Sequence, residues 1–257
     1  MSDAGYTMLK ATHNINEVLN QATDEIQQST SATQGEINIG MLASIESRVF
    51  EDFITKYYEK QPDILISFHT LTRKEIWERL ENNRIDLAIM YLPDGSIKNW
   101  KPYESRKILN EDLLFIHHEE KMSKQKKIKL KQTLNANWVT YPEGYYLEGV
   151  LREAYKNQLV DVPNSVARFT TPDQIRRFAE NAGVNTALPA SYVISHPGSD
   201  NTWMARFDPA INFDLSFVFR KDKDEIPRIN TFLEAFDTYL SEESYTERLR
   251  KMIGNQN

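Results

Sequence analysis

The sequence has no cysteine, no secretory leader pattern and no long apolar run. The absence of cysteine excludes disulfide bonds and thiol chemistry. The first residues lack the basic start and apolar core of a secretory signal, and no window approaches the roughly eighteen consecutive apolar residues that a membrane span needs. These absences predict a cytoplasmic protein with no membrane partner.

The sequence also lacks the positive charge of a typical nucleic-acid-binding domain. Its formal net charge is -6, whereas DNA capture relies on neutralising phosphates with Lys and Arg. The one basic run, residues 121–131, contains six lysines but neither arginine nor an aromatic residue for stacking. We predict that this run forms a solvated loop or an edge between two lobes of the protein. A phosphate-binding site is the alternative. This chain by itself is therefore expected to bind nucleic acid poorly.

Recognised catalytic motifs are missing as well. The sequence contains no G-x-S-x-G, no Walker loop and no G-x-G-x-x-G after a strand. Residues 117–120 (His-His-Glu-Glu) are of metal-binding types, but adjacent strand residues point to opposite faces and no third ligand stands at a recognised spacing. The sequence therefore predicts a protein that is not an enzyme and that uses neither cofactor nor metal.

Residues 1–34 favour a helix with a thin apolar stripe that ends near the Ser-Thr-rich stretch before Gly35. A helix with so little apolar surface has no core of its own, so it is predicted to pair with a second copy. The alternative is a helix that packs on its own domain or frays in solution. The stripe recurs at alternating three- and four-residue spacing, on Met8, Ala11, Ile15, Val18, Ala22 and Glu25, with Leu19 and Ile26 beside it.

From Gly35 onward, strand and helix patterns alternate. Ile37 and Ile39 alternate with polar residues as in a strand, Ser44 is predicted to cap the next helix, and Thr72-Arg73-Lys74-Glu75 is a capping box. Such alternation predicts parallel sheets with helices on their faces. With 257 residues there is room for two cores. We therefore predict an α/β fold of two doubly wound lobes behind a linker helix (1–34), with lobe I at 35–100 and 209–257 and lobe II at 101–208.

A ligand site is expected where parallel strands end and helices begin. Helix N-termini carry unpaired N–H groups and partial positive charge, so several of them facing one crevice favour a small carboxylate. His69 lies at the end of the second predicted strand. We expect it either to face this crevice or to be a hydrogen-bonded structural histidine. The strand ends that meet there are residues 43–46, 70–73, 140–145 and 170–173.

Several stretches together resemble the LysR-type transcriptional regulators. These stretches are Asp3-Ala4-Gly5 before a long helix, GEINIG at 35–40, the Gln61-Pro62 break, LENNRIDLAI at 80–89 and NAGVNTALPASYV at 181–193. The resemblance implies a two-lobed effector-binding domain of the periplasmic-binding-protein type, paired antiparallel and joined by its linker helix to a winged helix-turn-helix. We expect that DNA-binding domain to be absent from this chain.

The resemblance also implies an effector site between the lobes. Together with His69, the implied site residues are Ser44, Thr72, Arg73, Tyr141, Pro142, Glu143, Thr170 and Thr171. The sequence departs from the family at Gly183-Val184-Asn185, where a G-x-G turn is usual, and at the acidic Glu143. Glu143 is expected either to pair with Arg73 or to select an effector with a donor group. A small organic acid such as malate or citrate is the expected effector.

The leading interpretation is thus the ligand-sensing half of a transcription factor. In the full-length protein we expect DNA to be bound through the missing N-terminal domain, by a homodimer or, with the DNA-binding domains attached, by a tetramer. The alternative is a solute-binding protein of a transport system, which shares the two-lobed plan but has a leader and no linker helix. An enzyme on the same fold is disfavoured by the missing motifs.

Overall fold

The computed structural model describes residues 3–28, 32–95, 97, 99–198 and 201–254. Within these residues the helices are α1 (Asp3–Gln28), α2 (Arg48–Lys60), α3 (Arg73–Glu81), α4 (Tyr146–Asn157), α5 (Pro172–Ala182), α6 (Ala190–Ser195), α7 (Pro227–Glu242) and α8 (Tyr245–Gly254). The strands are β1 (Gly35–Leu42), β2 (Ile64–Leu71), β3 (Leu87–Leu92), β4 (Tyr103–His117), β5 (Lys127–Ile128), β6 (Trp138–Thr140), β7 (Ser165–Arg168), β8 (Thr186–Pro189), β9 (Trp203–Phe207) and β10 (Asn212–Arg220).

The first lobe is built on β1, β2 and β3, which run parallel in the order β2-β1-β3. β10 then joins antiparallel to β3, and the first part of β4 lies antiparallel to β10. Ile37 and Ile39, the apolar positions of the predicted strand, are fully buried in β1. The predicted alternation of strand and helix and the parallel pairing of β1, β2 and β3 are therefore confirmed, whereas the antiparallel β10 and β4 make this sheet a mixed one.

Aromatic side chains fill the core between α2, α7 and β10. The rings of Phe50 and Phe236 stack at 5.6 Å, and Phe53 meets Phe236 edge-on at 4.9 Å. Both helices present apolar residues at helical spacing, so each buries one face against the sheet. The α2 aromatics Phe50, Phe53 and Tyr57 accordingly belong to the core.

The second lobe contains the last part of β4, flanked by β8 and β9, with β5 beside β9. β6 and β7 pair in parallel. Backbone hydrogen bonds from Val139 N to Asn185 O (2.9 Å) and from Asn185 N to Asn137 O (2.9 Å) join β6 to the β8 side. The second lobe therefore repeats the plan of the first, a sheet flanked by helices.

β4 is a single long strand that passes through both lobes. Its residues from Tyr103 to Asp112 pair with β10, and those from Leu113 to His117 pair with β8 and β9. The pairing thus places residues 103–112 in the first sheet, although the sequence prediction assigned residues 101–208 to lobe II. The polar composition of this stretch hid the strand, because both of its faces are partly exposed there.

The local predictions at helix ends are mostly confirmed. α2 ends at Lys60 beside the predicted break, and Thr72 caps α3 in the predicted capping box. The prediction that Ser44 caps α2 is wrong, because the helix begins later and Ser47 occupies the N-cap position. Gly183 adopts a left-handed conformation (φ 64°) to end α5, a role for which glycine is suited.

α1 is a long helix whose described stripe residues Met8, Ala11, Ile15, Val18 and Ala22 are exposed, and its His13 Nδ1 lies 3.4 Å from Nη2 of Arg84 in the first lobe. Its described part reaches Gln28, just before the stretch where the sequence predicts a stop. Residues 29–31 of that stop, and the side chains of Glu25 and Ile26, lie outside the described residues. Since the stripe is exposed, packing of this face on the same chain does not account for it.

Two kinds of feature are absent from the described residues. No helix among them is long and apolar enough to cross a membrane. In the same part of the chain, no group of three or more His, Cys, Asp and Glu is placed to hold a metal ion.

Candidate functional site

A cavity of about 410 Å³ opens between the two lobes. It is walled by the segments that follow β1, β2, β6 and β7, so it lies at the carboxyl ends of parallel strands from both sheets. Its volume falls in the range of about 300–1,000 Å³ that is usual for small-molecule sites. The topology therefore brings four distant stretches of sequence to one place.

Most of the predicted site residues meet in this cavity. Ser44, Thr72, Arg73, Tyr141, Glu143, Thr170 and Thr171 line it. His69 and Pro142 are not among its lining residues: His69 lies within β2 opposite Gly40, and the carbonyl of Pro142 accepts a hydrogen bond from Tyr145 N (3.2 Å). Four residues that adjoin the predicted segments also line the cavity, although the sequence did not predict this: Leu42, Lys74, Tyr146 and Leu147.

Two helices begin at the cavity with threonine caps. Thr72 Oγ1 accepts from Glu75 N (3.3 Å), and Glu75 Oε2 accepts from Thr72 N (2.8 Å). Hydrogen bonds from the Thr72 hydroxyl and N–H lower the pKa of Glu75, so this carboxylate stays charged beside the start of α3. Thr171 Oγ1 accepts from Gln174 N (3.4 Å) at the start of α5. The positive end of α3 is therefore partly offset by its own Glu75.

Arg73 bridges the two lobes. Its Nη2 donates to the carbonyl of Gly144 (2.8 Å), and its Nη1 lies 3.4 Å from Oδ1 of Asp94. The Asp94 carboxylate is buried and also accepts from Nε1 of Trp77 (2.9 Å). Of the two roles expected for Glu143, pairing with Arg73 is not found, because Asp94 lies against Arg73 and the exposed Glu143 lies 4.0 Å from Arg168. The other role, selection of an effector with a donor group, stays a prediction.

Tyrosine rings form much of the cavity wall. Tyr141 and Tyr145 stack with their centroids 6.0 Å apart, and Tyr146 lies beside them in the lining. Tyr141 is only 3% exposed, and its hydroxyl has no hydrogen-bond partner among the described residues. Burial raises the pKa of Tyr141 well above its ordinary value, so the hydroxyl keeps its proton at neutral pH. A buried hydroxyl without a partner costs about 1–3 kcal/mol.

A second set of polar contacts ties the lobes together beside the cavity. Glu46, on the segment after β1, accepts a hydrogen bond from Ser195 Oγ and lies 3.4 Å from Nδ1 of His196. Arg48 Nη1 donates to the carbonyl of Ser195 (2.6 Å). These contacts connect the start of α2 to the end of α6, so they hold one edge of the cleft closed.

Comparisons with known proteins agree with this architecture. A family model described as the LysR substrate binding domain matches residues 30–241. An uncharacterized HTH-type transcriptional regulator of Bacillus subtilis, YybE, is 22% identical over 159 residues, which cover 61% of this chain and 52% of the relative. The HTH-type regulator GbpR of Azospirillum brasilense is 23% identical over 199 residues, which cover 76% of this chain and 58% of GbpR. The chain thus spans little more than half the length of these two relatives.

A solved structure shares the fold. The regulatory domain of Synechocystis PCC6803 CcmR, in complex with 2-PG, superposes with a TM-score of 0.70 at 15% identity, covering 80% of this chain and 97% of that one.

Proposed function

This chain belongs to the LysR substrate binding domain family, and from that premise we propose that it senses a small carboxylate between its lobes and relays cavity occupancy through α1. The family consists of effector-binding regulatory domains of LysR-type transcriptional regulators, which are not enzymes. The carboxylate, the site residues and the relay are the proposed parts.

The observation that carries the proposal is the interlobe cavity. Its walls come from both lobes, and Arg73 of the first lobe already reaches the backbone of Gly144 in the second. A ligand that contacts both walls binds best to one relative position of the lobes. It can shift their equilibrium by as much as its affinity differs between the two positions. A ligand in this cavity would therefore change the geometry of the whole chain.

Two features support a carboxylate as that ligand. Arg73 and Lys74 are cationic lining residues at the start of α3, where backbone N–H groups also favour an anion. A solved regulatory domain of the same fold is in complex with 2-PG.

DNA is proposed as the partner of the full-length protein. Both curated relatives are helix-turn-helix regulators, and this chain covers 52% and 58% of them. The exposed stripe on α1 is suited to pairing with the same helix of a second copy. A homodimer follows, with a tetramer possible for the full-length regulator, and a cytoplasmic location stays a prediction.

The lobes offer further surface for such a dimer. β2 pairs with β1 alone and β7 with β6 alone among the described strands, so each sheet has an open edge. Exposed apolar side chains lie at both edges: Tyr58 and Leu65 near β2, and Leu159, Val162 and Val166 near β7. Lobe I of one copy against lobe II of the other would cover both edges in an antiparallel pair.

A thermal-shift screen with a panel of carboxylic acids tests the proposal. A ligand at a hundredfold excess over its Kd adds about 2.7 kcal/mol of stability, which raises Tm by about 5–10 °C in a chain of this size. Ser44 is buried at the cavity wall, so Ser44→Phe should fill the space and abolish the shift. The far-UV spectrum of the variant should match wild type. A full shift in folded Ser44→Phe would place the ligand elsewhere.

A further inference from the structure

The composition of the cavity wall narrows the class of carboxylate, and this inference rests on the proposed role of the cavity as the effector site. Leucines and tyrosines make up six of the fifteen lining residues: Leu42, Leu71, Leu147, Tyr141, Tyr145 and Tyr146. A polar acid without an apolar body would leave these surfaces without a complementary partner. The wall is therefore suited to a ligand with an apolar body of ring size.

The charges at the cavity limit the ligand to about one negative charge. The charged lining residues are Arg73, Lys74 and Glu143. Arg73 is already paired with the buried carboxylate of Asp94, and Glu143 carries a negative charge of its own. A dianion or trianion would have to leave water for a site whose cations are largely offset, at a high desolvation cost.

The side chain of Tyr141, at the same wall, carries a buried hydrogen-bond donor. The Tyr141 hydroxyl is buried, protonated at neutral pH and without a partner among the residues that the structure describes. The hydroxyl is closed off from the cavity in this structure, so a ligand oxygen would accept its hydrogen bond, and relieve the cost of burying it, once the wall shifts on binding.

We propose that the effector is an amphipathic monocarboxylate whose ring-sized apolar body packs on the leucines and tyrosines, and that the Tyr141 hydroxyl donates a hydrogen bond to it. On this proposal, the small di- and tricarboxylic acids that the sequence suggested, malate and citrate, bind this wall more weakly than a monocarboxylate with an apolar body. The start of α3, with Arg73 and Lys74, receives the single charge.

Calorimetric titration with two sets of probes tests the ligand class. Benzoate and phenylacetate form one set, and succinate, malate and citrate at matched ionic strength form the other. We expect a member of the first set to bind at least tenfold more tightly than any member of the second. Tighter binding of the second set would overturn this inference and leave the carboxylate-sensing function standing. Binding of neither set would overturn both.

A pair of tyrosine variants tests the hydroxyl. Tyr141→Phe removes the proposed donor, and it should weaken binding of the better monocarboxylate roughly tenfold, the effect of one hydrogen bond. Tyr57→Phe is the matched control, because the Tyr57 hydroxyl is also buried without a partner among the described residues but lies outside this cavity. Both variants should melt no lower than wild type, and only Tyr141→Phe should lose affinity. Equal affinity of Tyr141→Phe and wild type would refute the contact.

Discussion

At the scale of single residues, the junction between the lobes contains a buried carboxylate. Glu111 is 1% exposed, its Oε1 accepts from Ser191 N (3.1 Å), and its Oε2 has no partner in the described part of the chain. Burial raises the pKa of Glu111, with a smaller opposing effect from the hydrogen bonds of Ser191. The charged form is therefore less favourable in the folded chain than in the unfolded one.

The sign of the pH effect follows from this raised pKa. Above the unfolded pKa of about 4.3, the unfolded chain releases the Glu111 proton more readily than the folded chain does. Between the unfolded pKa of Glu111 and its raised pKa in the folded chain, the folded state therefore loses stability as the pH rises. Glu111→Gln has no charge to bury, so its free energy of unfolding relative to wild type should rise from pH 4 to pH 7.

Urea unfolding at the two pH values measures this difference. Glu104→Gln, on the exposed part of the same strand, is the control and should follow wild type at both pH values. A Glu111→Gln variant that loses stability relative to wild type as pH rises would contradict the account.

The Glu46 contacts give a second prediction at this scale. Glu46→Ala removes the buried acceptor of Ser195 and the partner of His196, so it should lower the free energy of unfolding by about 1–3 kcal/mol. Glu51→Ala, which removes an exposed carboxylate paired with Ser47, should change it by less than about 0.5 kcal/mol. Equal effects in urea unfolding would show that the Glu46 contacts do not hold the lobes.

At the scale of secondary structure, the sequence predicted what local rules decide. The Thr72 capping box and the buried alternation of β1 depend on neighbours a few residues away, and both were predicted. The rule that ligands meet the carboxyl ends of parallel strands also located most of the cavity lining.

Features that depend on distant contacts were not predicted. The first half of β4 is polar because its exposed faces need no apolar pattern, so the sequence did not predict a strand there. The short elements β9 and α6 carry too few residues for a period to show. Arg73 pairs with Asp94 and not with Glu143 because the fold carries Asp94 to it from 21 positions along the chain. Such a pairing has no sequence signal.

The exposed stripe of α1 gives a prediction for the helix as an element. Charges placed on its seam, in the double variant Ile15→Glu and Val18→Glu, should bury poorly between paired helices and weaken self-association at least tenfold. Asn20→Glu changes the same helix away from the seam and should associate like wild type. Sedimentation velocity over a range of concentrations measures this, and unchanged association of the double variant would exclude α1 as the pairing surface.

At the scale of the whole molecule, the chain consists of two lobes, and we propose that a ligand selects their relative position. Arg73 and the Glu46 contacts cross the cleft, and Tyr146 of α4 also packs on Tyr91 and Phe213 of the first lobe. A ligand that contacts both sides adds to these interactions and favours the relative position of the lobes that it binds best.

We propose to measure hydrogen–deuterium exchange of the chain with and without the carboxylate that gives the largest thermal shift, because this experiment shows whether the ligand bridges the two lobes. Local opening sets the exchange rate, so segments that the ligand bridges should exchange more slowly. We predict protection of residues 70–74 in the first lobe together with 141–147 and 170–171 in the second. Protection confined to one lobe, or located away from these segments, would contradict the account.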